Sequence, residues 1–304
     1  MKRIFNYFMA FLIIMLVYNF REEIFIFYNS YCAPIEKRIS ELEKNEYYRN
    51  YDFTYVENTK NFIPTNKTDI KNIYYTIVNS GMTEFTFYCP SEYQSCMDDV
   101  NEIANDQNII SNINNFVHPY NSFNSLKTEI DSLGKITIEI EKVYNDEMII
   151  LIDYKINEIY KDIIGNNNFD NKTKIKTIHD YIINTTKYDS NRSDRKIINY
   201  KSDTAYGPLI EGYGLCGGYT DAMALFLDYY KIPNFKVISE NHIWNAVKLD
   251  GKWYHLDLTW DDPISKSGND ILEHTFFLIR TDKLLELEKE QHIFDQNIFK
   301  ELIW

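Results

Sequence analysis

Glycine is scarce in this chain, which has ten glycines in 304 residues. The few glycines are unevenly spread, because half of them fall in the dozen positions from Gly207 to Gly218. A single cysteine, Cys216, lies among them in the stretch "GYGLCGGYTDA". Because glycine permits sharp turns and close approach of another backbone, this concentration marks the segment around Cys216 as the one that most needs an explanation.

Basic residues are also in the minority. The 32 lysines and arginines are outnumbered by 45 aspartates and glutamates, and the formal net charge is -13. A phosphate backbone would be repelled by this charge, so the composition argues against a nucleic-acid partner. No internal repeat and no low-complexity linker divides the chain, whose length suits one large domain or two small ones.

Cysteine is rare too, and two of the four cysteines lie close together in "YCPSEYQSC". In an oxidising compartment we expect Cys89 and Cys96 to form a disulfide; the alternative is two free, buried thiols. Because no histidine or second cysteine pair lies nearby, this stretch does not predict a metal site. We expect neither a metal ion nor a cofactor in this protein.

The N-terminus lacks charge over residues 4–20, a run of 17 residues that follows Lys2 and Arg3. Such a run gives roughly 25 Å of helix, the short end for a membrane span. No pair of small residues suited to signal-peptide cleavage follows it. We therefore predict a signal anchor or a signal peptide within residues 1–35, with a buried soluble helix as a third alternative.

The flanking charges predict the orientation of that segment. Lys2 and Arg3 precede the uncharged run, whereas Glu22 and Glu23 follow it. This bias places the N-terminus inside and the rest of the chain outside. The expected location is the cell membrane, with a single pass and the main domain on the outer face; a cleaved segment would instead give a secreted protein.

The remainder divides into two predicted regions. Residues 36–165 read as a small α/β region of unknown role, which begins with a charged, helix-like stalk over residues 36–48. Its predicted elements are a helix over 66–79, a strand over 83–89, a helix over 91–106, a hairpin that turns near Leu133-Gly134, and a helix over 145–164. Residues 166–304 form the second predicted domain, which opens with a helix that carries His179 beside its apolar stripe; we expect this histidine to be a packing residue.

Cys216 begins a predicted helix over residues 216–231, which Pro233 brings to an end. Free backbone N–H groups and the positive end of the helix dipole favour a thiolate at this position, and the thiolate is the nucleophilic form. The glycines around it would allow a sharp turn and close approach of a substrate backbone. The alternative is a tight turn in which Cys216 is a small apolar filler.

A hairpin supplies the partners that such a nucleophile needs. Asp250-Gly251 is a strong turn signal, and pairing outward from it places Trp244 opposite Asp257. His242 and Asp257 then lie on one face as diagonal neighbours, with Cβ atoms roughly 7 to 8 Å apart. A thiol, a histidine base and an orienting carboxylate are the parts of an activated nucleophile. His255 lies on the same face and, on spacing alone, competes with His242.

These stretches, "YGPLIEGYGLCGGYTDAMALFLDYYKIP" and "NHIWNAVKLDGKWYHLDLTWDDP", resemble the transglutaminase-like core of bacterial proteins. The resemblance covers residues of about 170 to 280 and places the family's triad on Cys216, His242 and Asp257, which leaves His255 aside. It implies an α+β, papain-like fold in which the nucleophile helix packs on an antiparallel sheet. We also expect Gly217 and Trp244 to contact the substrate.

The resulting expectation is an extracytoplasmic thiol enzyme that acts on amide or peptide bonds of proteins or of cell-wall peptides. The reaction would pass through a thioester that either water or an amine resolves. The alternative is a membrane-anchored binding or structural protein that keeps the fold without turnover. The substrate partner is therefore a protein or peptide, and the membrane is a partner through the N-terminal helix.

Overall fold

The structure is a computed structural model that describes residues 2–165, 168–263 and 271–304. The α-helices in chain order are α1 (Lys2–Asn19), α2 (Arg21–Phe27), α3 (Ile35–Arg38), α4 (Lys67–Ser80), α5 (Cys96–Asn105), α6 (Gln107–Asn115), α7 (Asp146–Ile159), α8 (Asn171–Thr185), α9 (Ser190–Arg195), α10 (Cys216–Tyr229) and α11 (Thr281–Leu287). The strands are β1 (Glu84–Tyr88), β2 (Phe123–Ile130), β3 (Lys135–Lys142), β4 (Lys187–Tyr188), β5 (Tyr213–Gly214), β6 (Asn234–Ile238), β7 (Ile243–Leu249) and β8 (Lys252–Leu256).

Within the described ranges, five short segments have tighter or wider helical turns. Three are π-helical, at Tyr28–Cys32, Tyr160–Ile164 and Gly207–Glu211, and two are 3-10 helices, at Pro119–Asn121 and Lys300–Leu302. The mixture of helices with two antiparallel three-stranded sheets and the short parallel pair β4-β5 agrees with the predicted α+β class.

The first sheet is antiparallel, with strand order β1-β3-β2. The β2–β3 hairpin turns at Gly134, whose φ of 81° lies in the left-handed region that glycine adopts without strain. Ile136, Ile138 and Ile140 of β3 are buried, as their alternating spacing predicts. The disulfide between Cys89 and Cys96 is present and links the end of β1 to the start of α5.

Two predictions for the first region are wrong. The stalk over residues 36–48 is helical only as far as Arg38, because the backbone N–H groups of Ser40 and Asn45 instead donate to the carbonyls of Thr86 and Ser80. The helix over 91–106 is shorter, and a second helix follows it. Asp106 starts that second helix, α6, by accepting hydrogen bonds from the N–H groups of Asn108 and Ile109.

The second sheet carries the candidate site and has the antiparallel order β6-β7-β8. The β7–β8 hairpin pairs Leu249 with Lys252 and Asn245 with Leu256, which is the predicted register. Helix α10 is held against β7 by two hydrogen bonds. Thr220 Oγ1 donates to the Ile243 carbonyl at 3.0 Å, and Asn245 Nδ2 donates to the Thr220 carbonyl at 3.0 Å.

The hydrophobic core does not divide at the predicted boundary between residues 165 and 166. One buried cluster joins Phe85 and Ile138 of the first sheet to Phe235 and Trp244 of the second. Arg49 adds a polar link, because its buried guanidinium donates to Asp228 Oδ2 at 2.7 Å and to the carbonyls of Phe116 and Asn234. The N-terminal region therefore packs directly against the sheet and helix that carry the candidate site.

The structure does not support the predicted membrane span at the N-terminus. Within the described residues, no helix combines the length and the apolar character needed to cross a membrane. Helix α1 has 18 residues, and Lys2 and Arg3 occupy its first two positions, which shortens its uncharged part.

Candidate active site

Cys216 is the first residue of α10, as the sequence predicts. No side chain in the described part of the chain caps the start of this helix, and the N–H of the preceding Leu215 is occupied by the Ser202 carbonyl at 2.6 Å. The N–H groups of the first helical turn, beginning with that of Cys216, have no partner inside the helix. The thiol thus lies beside a cluster of backbone donors and the positive end of the helix dipole.

The crowding of glycine around Cys216 has a packing cause. A Cβ on Gly218 would lie 2.3 Å from the Ser202 carbonyl oxygen, and one on Gly217 would lie 2.9 Å from that of Asp203. A Cβ on Gly207 would meet the Tyr213 carbonyl at 2.4 Å. The segment that contains residues 201–205 therefore crosses the first turn of α10 at backbone contact distance. For Gly217, a substrate contact stays a prediction, whereas this backbone contact is observed.

His242 precedes β7, where the backbone turns back from β6. A pair of hydrogen bonds with Ser239 holds this turn, since the Ser239 N–H donates to the His242 carbonyl and the His242 N–H to Ser239 Oγ. The imidazole Nε2 lies 2.5 Å from Asp257 Oδ2. The Cys216 thiol is near enough to this imidazole to contribute to its raised pKa, so the three predicted residues lie together at the start of α10.

The electrostatics of the array favour a charged imidazole. Burial alone would lower the pKa of His242, but the charge and hydrogen bond of Asp257 and the contact with Cys216 outweigh it and raise this pKa to about 10. Burial likewise would raise the pKa of Asp257, yet His242 and His292 hold it well below its usual range. An ionised carboxylate and an imidazolium suit a neighbouring thiolate.

Asp257 is almost completely buried, immediately after β8, and both of its oxygens are occupied. Its Oδ1 accepts hydrogen bonds from the N–H groups of Thr259 at 2.9 Å and Trp260 at 3.2 Å, while Oδ2 faces His242. Because the Oδ1 contacts come from the backbone of the turn that follows β8, the local fold orients the carboxylate toward the imidazole.

His255 lies on the same hairpin but has a different environment. Trp244 Nε1 donates to His255 Nδ1 at 2.9 Å, so the proton of the neutral ring is on Nε2, which lies 3.0 Å from Thr281 Oγ1. Thr281 in turn donates to the Leu302 carbonyl at 2.7 Å. Burial lowers the pKa of His255 to about 3, with a further contribution from His292. This histidine is a neutral bridge in the core rather than a base near Cys216.

Trp244 does not reach a surface from which it could contact substrate. Its side chain is fully buried, and its ring lies parallel to that of His242 within 17°, with centroids 5.6 Å apart. The expected substrate contact is therefore not supported, because the hairpin turns this indole into the core. Its observed position is behind the imidazole, where it supports the ring.

Sequence reasoning missed one buried histidine at this site. His292 Nε2 lies 3.0 Å from Asp257 Oδ2, and His292 Nδ1 lies 2.7 Å from Glu288 Oε2. These residues follow α11, beyond the stretch of about 170 to 280 on which the family resemblance rests. The spacing of four between Glu288 and His292 is the only local signal, and it does not point to Asp257.

A small cavity of about 330 Å³ opens beside the nucleophile. Its walls include Cys216 and Leu215, together with Tyr188, Arg192, Ser193, Lys196 and Ile198. A larger cavity of about 590 Å³ lies at the other end of α10, around Asp228–Pro233, and has no contact with Cys216. The smaller one is the candidate substrate cavity because it borders the thiol.

Two groups of three side chains in the described ranges place possible metal-ligand atoms within 4.8 Å of one another. The first is His242, Asp257 and His292, whose facing atoms already hydrogen-bond to each other. In the second, His179, Asp180 and His274, the ammonium of Lys176 contacts Asp180 at 2.6 Å and His274 at 2.8 Å. Both groups are satisfied by these polar contacts, so we assign a metal site to neither.

Comparisons with known proteins give only weak likenesses. No protein-family model and no curated protein matches the chain. Among solved structures, it is similar to a TGase, with 15% identity and a TM-score of 0.34 over 45% of this chain and 44% of the other. It is also similar to a protein assigned as a cysteine protease from Cytophaga hutchinsonii, with 14% identity and a TM-score of 0.27 over 49% of this chain and 65% of the other. The chain thus spans less than two thirds of the length of either neighbour.

Proposed function

We propose that this chain is a thiol enzyme of the transglutaminase-like class that acts on amide or peptide bonds. The observation that carries the proposal is the buried pair of His242 Nε2 and Asp257 Oδ2, 2.5 Å apart, with the Cys216 thiol beside it at the start of α10. A thiol at a helix N-terminus, a charged imidazole and a buried carboxylate together perform nucleophilic catalysis in many unrelated folds. The papain-like arrangement of residues 166–304 is part of the same proposal.

The residues have distinct roles in the proposed reaction. The Cys216 thiolate attacks the carbonyl carbon of the substrate, forming a C–S bond and a tetrahedral oxyanion. His242 then donates its proton to the leaving amine as the C–N bond breaks, which leaves a thioester on Cys216. In the second half, His242 takes a proton from water or from an amine as that nucleophile attacks the thioester and releases the thiolate. Asp257 keeps the imidazole oriented throughout.

The start of α10 supplies the stabilisation that the oxyanion requires. The free N–H groups of its first turn lie next to Cys216, and donors of this kind act strongly on charge that develops in the transition state. We assign the oxyanion to these backbone groups. No side chain is needed for this role.

The proposed substrate is a protein or peptide, with a cell-wall peptide as the specific candidate. The cavity beside Cys216 would receive the chain around the scissile amide. The disulfide between Cys89 and Cys96 supports an oxidising compartment outside the cytoplasm, where such peptides occur.

Trapping of the acyl-enzyme tests this proposal. The protein is incubated briefly with solubilised cell-wall peptides, quenched in acid and digested, and the mass of the peptide that carries Cys216 is measured. We expect an acyl adduct in the unmutated chain and none in Cys216→Ala, and we expect hydroxylamine to remove the adduct. If Cys216 acquires no adduct while the thiol is shown to be free, the inactive binding protein becomes the better account.

A further inference from the structure

His292 is a second imidazole on the carboxylate of Asp257. Asp257 Oδ2 accepts from His242 Nε2 at 2.5 Å and faces His292 Nε2 at 3.0 Å. The other nitrogen of His292 lies 2.7 Å from Glu288 Oε2. A continuous chain of polar contacts therefore runs from His242, beside Cys216, through Asp257 and His292 to Glu288, which is partly exposed.

The His292 ring is also fixed by packing. It is fully buried and lies parallel to Phe276 within 13°, with ring centroids 5.4 Å apart. Trp244 meets it edge-on at 4.8 Å, and His242 is nearly perpendicular to it at 5.3 Å. These contacts leave the ring no free rotation, so its Nε2 remains directed at Asp257.

We propose that His292 is a positioning residue for the Cys216 site, an inference that rests on the proposed function. Asp257 Oδ2 needs a second donor, because a buried carboxylate oxygen with an unfilled acceptor position is unstable. The His292 N–H fills that position and holds the carboxylate in the orientation that aligns His242. Glu288 fixes His292 through its other nitrogen. His292 itself acts only through Asp257.

Two substitutions separate the proposed positioning role of His292 from a purely structural role. In His292→Gln the side-chain amide N–H can reach the place of Nε2, so the donor to Asp257 is retained. In His292→Leu the space is filled by an apolar group and the donor is lost. The buried His255 on the same hairpin is the matched control, because its hydrogen bonds go to Trp244 and Thr281 rather than to Asp257.

The experiment measures alkylation of Cys216 by iodoacetamide at pH 6, where an unassisted thiol is almost fully protonated. Peptide masses report Cys216, and the exposed free thiol of Cys32 serves as an internal reference in the same molecule. We expect His292→Leu to slow Cys216 by about tenfold or more, and His292→Gln and His255→Gln to stay within about threefold of the unmutated chain. Thermal unfolding midpoints are measured for every variant.

Equal alkylation rates of Cys216 in His292→Leu and His292→Gln would overturn the inference, whether both rates are fast or both are slow. If His292→Leu does not fold, Glu288→Ala carries the test, because Glu288 is partly exposed and its loss frees His292 without emptying the core. We expect that variant to slow Cys216 by about threefold, with Cys32 unaffected; an unchanged rate would contradict the inference. A Cys216 that reacts no faster than Cys32 in the unmutated chain would instead refute the proposed function.

Discussion

Gly218 lies where the backbone at Ser202 and Thr204 crosses the first turn of α10. A Cβ there would lie 2.3 Å from the Ser202 carbonyl and 3.0 Å from that of Thr204, and backbone atoms cannot move aside cheaply. This contact explains why a chain with so little glycine concentrates it around one thiol. The sequence predicted a close approach at this point, but assigned it to a substrate rather than to the chain's own backbone.

We expect Gly218→Ala to lower the free energy of unfolding by about 1–3 kcal/mol through overpacking. Urea denaturation measures this change. Gly251→Asn is the control, since Gly251 has a φ of 81° that asparagine tolerates and no atom within 4 Å of its Cβ position. A loss in Gly218→Ala no larger than in the control would mean that the crossing backbone is free to move.

At the scale of elements, the disulfide joins β1 to α5 and links two cysteines that are seven positions apart in the sequence. We expect the double change Cys89→Ala and Cys96→Ala to lower the free energy of unfolding by about 2 kcal/mol, because a short loop loses little entropy in the unfolded chain. Urea denaturation with and without a reductant measures it. Reduction should lower the free energy of unfolding of the unmutated chain by a similar amount and leave that of the double variant unchanged. If the reductant also destabilises the double variant, its effect does not come from this disulfide.

The elements near strong local signals could be predicted, and those set by distant contacts could not. Asp250-Gly251 defined the β7–β8 register, and that register brought His242 to Asp257. The prediction of a helical stalk over 36–48 was wrong because hydrogen bonds to β1 and α4 replace helical ones in that segment. No local spacing reveals His292, since it meets Asp257 across 35 positions of the chain.

At the scale of the whole molecule, the buried histidines predict a stability maximum near pH 6.5. Burial lowers the pKa of His255 to about 3 and that of His118 to about 4, so the unfolded chain binds more protons on them below about pH 6.5. Stability therefore rises with pH in that range. The pKa of His242 is raised to about 10, so its contribution is complete below about pH 6.5 and is lost as pH rises toward 10.

The measurement is the free energy of unfolding in urea from pH 4.5 to 9.5, in a Cys216→Ala background, where Asp257, the main cause of the raised pKa of His242, is still present. We expect a maximum near pH 6.5, and we expect the further change His242→Gln to flatten the fall above it. A stability that keeps rising through pH 9, or a fall that persists unchanged without His242, would contradict the assigned charge of this imidazole.

The N-terminal half belongs to the same packed unit as the site, which its sequence did not reveal. Arg49 reaches Asp228 near the end of α10 and the carbonyl of Asn234 at the start of β6. Such a contact depends on two segments separated by 179 positions, and composition and periodicity carry no information about it. The boundary at residue 165 was predicted from a change in the local sequence pattern, whereas the hydrophobic core is set by packing between distant segments.

The central claim is that His242, oriented by Asp257, activates Cys216. Its most direct test is the iodoacetamide alkylation rate of Cys216 from pH 5 to 9, with Cys32 as the reference thiol, in the unmutated chain, His242→Ala and His255→Ala. We expect Cys216 to be alkylated faster than Cys32 at and below neutral pH. We expect this rate to fall about tenfold or more in His242→Ala and to be largely kept in His255→Ala. If His255→Ala is the damaging change, or if neither variant alters Cys216 in folded protein, the activated-thiol account is wrong.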